Sequence, residues 1–364
     1  MITLGNNSSI EVSLGDFTLT SFQDFTGLTI IESSGVVIPS FELQLRTTKV
    51  SVISALRSNN CKVTVSFGPD TDHLQTYDVL VMNYNFTSNG DDSFTLGITG
   101  ILDLKDFTNP TKIQFIEETS DKVLASISSI TPMVDYTGAD KQVWIQHNNT
   151  DKNFVERVLE HAFIAEDDCV ISALTIAKEL IVKSAKKTFS SGPLVVFDNS
   201  ASTAYNKFKF ESDSALWSGF LSEGRKLPII HIKERKVEMM DTPSQSLVDS
   251  KAVSDYTTNV NFPFIVDNGN CHDNYYKAWL GNLAYQSNLN RHVLYLFLDQ
   301  SYLDNDKLKL LDLVQITSSD NSHFEEGDPT LGKYIVTEKI THIGPDKYSQ
   351  RLRLARDFTL DWWG

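Results

Sequence analysis

Between Ser9 and about Leu104 the chain alternates apolar and polar residues with a period of two, in short runs such as IEVSLG, LTIIES, SFELQLRT, KVTVSFG, YDVLVMNYNF and SFTLGITGIL. A strand points successive side chains to opposite faces, so this alternation gathers apolar groups on one face only when the backbone is extended. A helical fold for this segment is thereby excluded. The turns agree: FGPDTD (Phe67 to Asp72) and SNGDD (Ser88 to Asp92) carry the Gly, Pro, Asn and Asp that tight reversals need. KVSVISALRSN, from Lys49 to Asn59, breaks the pattern and predicts a short helix with Val50, Ile53, Ala55 and Leu56 as its apolar positions. About seven strands in so short a span predict a small barrel or sandwich.

Beyond Leu104 the period changes. EETSDKVLASISSI, Glu117 to Ile130, sets Val123, Leu124, Ile127 and Ile130 on one helical face. Val143 to His147 follows as a strand. Thr150 then predicts an N-cap, with Asp151 in the first turn of a helix whose buried stripe is Phe154, Val155, Val158 and Leu159 and whose end lies near Ala162. Cys169 to Ala173, ELIVKSA and LVVFD read as further β-like pieces, so the middle third is α+β. LPIIHIKERKVEMMD adds one or two strands, and the Ser-rich stretch Thr242 to Asn259 reads as a linker or long loop.

In HDNYYKAWLGNLAYQSNLNR, Tyr276, Trp279, Leu280, Leu283 and Ala284 share a helical face. Strands Val293 to Asp299, Leu311 to Ser318, Gly332 to Gly344 and Tyr348 to Asp357 then restore the texture of the beginning, which hints at internal duplication. The expected class is α+β, mostly β: two related small tube-like β-barrel domains, 1–104 and 261–364, flank an α+β middle region, 105–260.

Composition enters where function is asked. With 41% hydrophobic and 22% charged residues among 364, the chain lies far from the disordered class. Its net charge of −15 argues against nucleic-acid binding through a broad basic surface, which needs clustered Lys and Arg. Up to Leu104 there are 4 basic residues against 11 acidic ones, an excess suited to a solvated surface or to a lumen past which DNA slides by repulsion. The opening residues lack the basic start and apolar core of a signal peptide, and no run of about 18 apolar residues occurs, so the reading is assembly in the cytoplasm without stable membrane insertion. Cys61, Cys169 and Cys271 are odd in number and scattered, which suits neither a disulfide framework nor a zinc site.

The chemistry search returns absences. There is no GxGxxG, no GxxxxGK followed by Ser or Thr, and no GxSxG. His147 and His161 lack the i, i+4 spacing of a helical metal pair. Glu166 to Asp168 and the run His323 to Asp328 lack the alternating oxygens of a calcium loop and read as solvated turns. Acidic pairs for glycoside hydrolysis need only meet in space, and no pair is singled out. Trp362 and Trp363 could stack on a sugar, dock on a partner or pack on the chain itself. No catalytic, cofactor-binding or metal-binding residue is assigned, and no cofactor is expected.

Three segments resemble the central baseplate hub of contractile-tailed bacteriophages, related to the hub part of the VgrG spike proteins of type VI secretion. In Trp144 to Ile164 the positions of that pattern are held by Gln146, Asp151, Phe154, Arg157 and Leu159, while Phe163 and Ile164 stand where the family usually has a Gly after the helix. The helix Tyr275 to Leu289, with Asn290, Arg291 and the strand Val293 to Leu298, is similar to the family's helix-then-strand approach to its second tube domain. Gly332, Tyr334, Val336, His342, Tyr348, Leu352, Leu354 and Arg356 match the closing strands, with Leu311-Asp312 in place of a common Gly-Asp.

The resemblance implies a non-enzymatic structural protein of the virion tail baseplate, assembled in the host cytoplasm. It implies a homotrimer of two tube-like barrels per chain, whose six barrels form a pseudo-sixfold ring between the hexameric tail tube protein and the trimeric central spike protein. Tape measure protein and other baseplate proteins are further expected partners, and DNA passes through without specific binding. Leu28 to Arg46 and Gly332 to Arg356 are expected to supply the ring's long strands. Two other classes stay open at this stage: a cell-wall or capsule glycan hydrolase, and a sugar-binding tail adhesin using Trp362 and Trp363.

Overall fold

A computed structural model describes residues 2–3, 9–15, 17–19, 24–57, 63–68, 74–165, 168–198, 208–214, 226–231, 235–241, 265–267, 292–298, 308–317 and 331–356, with 274–276, 278–279, 281–282 and 289 from the segment between. Glu166, Asp167, the stretch Thr242 to Asn259, the run His323 to Asp328, Trp362, Trp363, Cys61 and Cys271 lie outside the described residues.

The first elements are β1 (Ile2–Thr3), β2 (Ser9–Leu14), β3 (Phe17–Thr18), β4 (Phe25–Ser33), β5 (Ser40–Thr47), α1 (Val50–Arg57), β6 (Val63–Gly68), β7 (Gln75–Ser88) and β8 (Phe94–Leu102). Alternation has the consequence it should: in β5, Phe41, Leu43 and Leu45 are buried while Glu42, Gln44 and Arg46 face solvent. All pairings are antiparallel, in the order β2-β6-β7-β8-β5-β4. Inward residues of these strands share one core, so the sheet curls over it. Helix α1 forms where expected, with a different stripe. Val50 opens the helix in solvent, and Val52 carries the i, i+4 line to the buried Leu56.

The middle contains α2 (Lys105–Thr108), β9 (Lys112–Glu118), α3 (Ser120–Ala125), β10 (Thr131–Asp135), β11 (Gln142–Asn149), α4 (Asp151–His161), β12 (Val170–Leu174), β13 (Glu179–Ser184), α5 (Ala185–Ser190) and β14 (Val195–Asp198). The helix expected from Glu117 to Ile130 is shorter, although Val123, Leu124, Ile127 and Ile130 are all buried. Glu117 is taken by β9, which pairs with β11, and the chain must extend by Thr131 to lay β10 parallel to β13.

Strands β12 and β13 form a septum. Val170, Leu174, Leu180 and Val182 belong to the core under the first strands, whereas Ile171, Ala173 and Ile181 belong to a second core. Burial on both faces explains why ELIVKS reads as an almost continuous apolar run.

The remaining strands are β15 (Phe208–Ser214), β16 (Lys226–His231), β17 (Lys236–Asp241), β18 (Ile265–Asp267), β19 (His292–Leu298), β20 (Leu313–Thr317), β21 (Gly332–Ile343) and β22 (Tyr348–Ala355). β16 sits between β17 and β18 in a separate sheet. The others take the order β20-β21-β22-β19-β15, with β14 parallel to β20. The class expected from the sequence is the one found, mostly β with an α+β middle. Sheet pairing does not follow the division at 260/261, because β14 and β15 join strands from the end of the chain.

Candidate assembly surfaces

The two strand sets have one order. Strands β6-β7-β8-β5-β4 of the first correspond in sequence and in space to β20-β21-β22-β19-β15 of the second. Each set is built around a long strand with a bulge: β7 shifts register between Val81 and Asn83, and β21 between Val336 and Glu338. Before the bulge, β7 pairs with β6 and β21 with β20; on the opposite edges lie β8 and β22.

The sets join where Leu28 to Arg46 and Gly332 to Arg356 meet. Beyond its bulge, Glu338–Ile343 of β21 pairs antiparallel with Ser33–Leu28 of β4, on the edge that β20 has left. A single sheet therefore runs through both sets. Ser34 N–H donates to the Thr337 carbonyl (2.7 Å) and Gly35 N–H to the Ser172 carbonyl (2.6 Å), which ties the seam to the septum. His342 Nδ1 lies 3.1 Å from Thr29 Oγ1 across this seam, so this member of the resemblance pattern holds two strands together.

The middle motif is a buried polar network. Thr150 caps α4 as expected, its hydroxyl accepting from Asn153 N–H at 3.3 Å. Asp151, fully buried, accepts from Lys112 Nζ (2.6 Å), Ser129 Oγ (2.6 Å) and Gln146 Nε2 (3.1 Å). Burial alone would raise this carboxyl, but the three hydrogen bonds and the Lys112 charge outweigh it and hold its pKa below the usual carboxylate value. Gln146 Nε2 also donates to the Asn149 carbonyl (2.8 Å), and Arg157 donates to the Ile145 carbonyl. Phe154 and Leu159 are buried in the first core. These residues position α4 against β11.

Both departures from the family pattern have a local cause. No Gly closes α4 because Ala162 leaves the helix with extended backbone, and Asn282 Nδ2 supplies donors to the carbonyls of Leu159 (3.2 Å), Glu160 (3.2 Å) and Ala162 (2.9 Å). Asn282 carries no local sequence signal, since its partners lie more than a hundred residues away. Leu311 adopts φ +64, a left-handed conformation that glycine takes at no steric cost. Its side chain is buried in the second core, and its N–H donates to the Val336 carbonyl at 2.8 Å. At Gly332, φ is +131 and a Cβ would meet the Arg356 guanidinium at 2.8 Å, so the glycine leaves room for that side chain.

Asp168, expected in a solvated turn, and His161, set aside as a metal ligand, are both held by neighbours. Asp168 accepts from Ser184 Oγ (2.6 Å) and from the backbone N–H of Cys169 (2.8 Å) and Lys186 (3.0 Å). His161 stacks on Tyr275 with ring centroids 3.8 Å apart. Among the described residues no group of three His, Cys, Asp or Glu is placed to hold a metal, and no helix is long and apolar enough to cross a membrane. Cys169 is buried, and its thiol donates to the Gly281 carbonyl at 3.6 Å.

Among the described residues, two apolar surfaces stand open. On the β9–β11 pair, Ile113, Phe115, Val143 and Ile145 face outward while Trp144 and Gln146 face in. On β7, Met82 at the bulge is 65% and Phe86 beyond it 44% exposed. Exposed apolar clusters of this kind mark contact sites.

Two solved structures share this fold over nearly the whole chain. The tail protein from Neisseria meningitidis MC58 is 10% identical, with 96% of this chain and 97% of that one covered at a TM-score of 0.58. The 43 kDa tail protein of prophage MuSo2 from Shewanella oneidensis is 11% identical, with 97% and 98% covered at a TM-score of 0.55. No family model and no curated protein matches the sequence. The chain thus has the fold of phage tail proteins, in line with the resemblance carried by its motifs.

Proposed function

We propose that this chain, which shares its fold with phage tail proteins, is the structural hub of a tail baseplate. Three copies form a ring of six like strand sets that receives the hexameric tube on one face and the trimeric spike on the other. The observation that carries the reading is the recurrence of one strand order within one polypeptide, with the two copies joined edge to edge through β4 and β21. A closed ring of three chains then presents six similar units, because each interface between chains repeats the geometry of the one inside a chain. Symmetry adaptation is the activity, and no side chain is asked to do chemistry.

The acidic excess of the first set suits the inside of such a ring, where repulsion of phosphates keeps DNA moving. The outward apolar face of β9–β11 is suited to a neighbouring protein. The division into tube domains at 1–104 and 261–364 becomes, on this reading, a first unit ending at Leu104 and a second that also recruits β14 and β15. Electron microscopy of the chain with its spike and tube proteins is the test. Sixfold-like density on one face and threefold density on the other is the expected image; a chain that stays monomeric with both partners present overturns the proposal.

A further inference from the structure

The seam inside the chain has a counterpart that no described strand fills. Asn83–Ser88 of β7 pairs with β8, and among the described residues nothing pairs with its other edge. The matching half of β21, Glu338–Ile343, carries β22 on one edge and β4 on the other. Both halves are six residues long and both follow a bulge.

Aligned on the bulges, Met82 corresponds to Thr337, Phe86 to Thr341 and Ser88 to Ile343. The covered positions are 4%, 5% and 2% exposed, whereas Met82 and Phe86 stand open at 65% and 44%. An uncovered edge with large apolar side chains beside it is a template for another strand.

The second set holds the strand that would fit. Phe41 of β5 lies opposite Gly100 of β8 and Ile30 of β4, and Leu294 of β19 lies opposite Leu354 of β22 and Ser212 of β15. Gly100 and Leu354 each oppose the residue just before a bulge, Val81 and Val336. Ser212 therefore holds the position of Ile30, the residue that faces Thr341 in the seam. β15 pairs with β19 alone among the described strands.

We infer that β15 of one copy adds to the free edge of β7 in the next, antiparallel, in the register Tyr84↔Ser214, Phe86↔Ser212 and Ser88↔Phe210. The inference rests on the proposed trimer and deepens it by naming the strands and the register that close the ring. The interface is heterologous, so each copy offers one β7 edge and one β15 edge, and the array closes when the last copy meets the first.

The test is cross-linking of the full chain. Opposed residues in an antiparallel pair lie about 5 Å apart at Cα, within the reach of a disulfide. Phe86→Cys combined with Ser212→Cys is oxidised beside Phe86→Cys combined with Glu211→Cys, whose second position is one residue out of register. The parent chain with its own three cysteines is oxidised in parallel as the baseline. Reducible covalent dimers and trimers above that baseline are expected from the matched pair and not from the shifted one.

A trimer by native mass spectrometry that gives no matched cross-link, or equal yields from both pairs, overturns the strand assignment and leaves the trimer standing. A chain that remains monomeric with spike and tube present removes both. As an independent measurement, Met82→Glu with Phe86→Glu is expected to weaken the trimer by about tenfold or more while the circular dichroism of the chain stays unchanged. Unchanged trimer affinity would overturn the edge assignment.

Discussion

β7 and β21 are the same strand twice, and their surroundings differ. Each is long, bulged and hairpinned to its successor, yet the far half of β21 is covered by β4 while the far half of β7 is open among the described residues. The side chains follow the cover: Thr337, Thr341 and Ile343 are buried, and Met82 and Phe86 are exposed. A hairpin of this design thus does not fix its own burial. What lies along its second edge does, and in one of the two sets that neighbour comes from within the chain.

The sharpest way to break the comparison is to place a charge at corresponding positions. Ile343→Asp buries a carboxylate between β4 and the core and should cost more than about 3 kcal/mol, whereas Ser88→Asp on the open edge should change the stability of the isolated chain by less than about 0.5 kcal/mol. Urea unfolding of the two variants measures both; equal losses would mean that the edges are not different. Asp151→Ala acts on the middle region, outside the two strand sets. It leaves Ser129 without its acceptor, takes one of two acceptors from Gln146 and leaves Lys112, itself partly in water, without its ion pair, so a loss of about 2–3 kcal/mol is expected in the same experiment.

The Asp151 carboxyl has a depressed pKa, so its stabilisation is complete above the unfolded value of 3.8 and is lost as pH falls through the lower folded value. Acid titration of stability should therefore show a limb below about pH 4 that Asp151→Asn flattens. Leu311→Gly probes the second set alone. It relieves a left-handed strain of about 1–2 kcal/mol but removes a buried side chain worth about 2–5 kcal/mol, so the net change is a loss of about 1–3 kcal/mol by thermal unfolding. Thr150→Ala removes the cap of α4, and about 1 kcal/mol is the expected cost, read from the same melting curves.

Much of this was legible beforehand where the signal is local. Thr150 and the stripe Phe154, Val155, Val158 and Leu159 were readable because a helix repeats its face within a few residues. The strands of the first set and β19 to β22 of the second were readable through their alternation, whereas β15 and the pairing of β4 with β21 were not. The length of α3 was misjudged, since burial of Ile127 and Ile130 imitates a helical stripe after the helix has ended. Asn282, Lys112 and Asp140 gave no signal. Asp140 accepts from the N–H groups of Ser120 and Phe163, both at 2.9 Å, and such partners become neighbours only after folding.

The sequence by itself determined most strands of the first set and the closing strands of the second, which face of each is apolar and that the beginning and end of the chain are alike in texture. Those properties depend on side chains two to four positions apart, and chain stereochemistry fixes them. Only the tertiary structure decided that β4 crosses to β21, that β14 and β15 belong with the last strands, and that one bulged hairpin is covered while its twin is open. Backbone N–H and C=O groups are the same at every residue, so a strand's edge carries no mark of its partner; the choice is made by the cores on either side of the septum, which pull distant segments to one place.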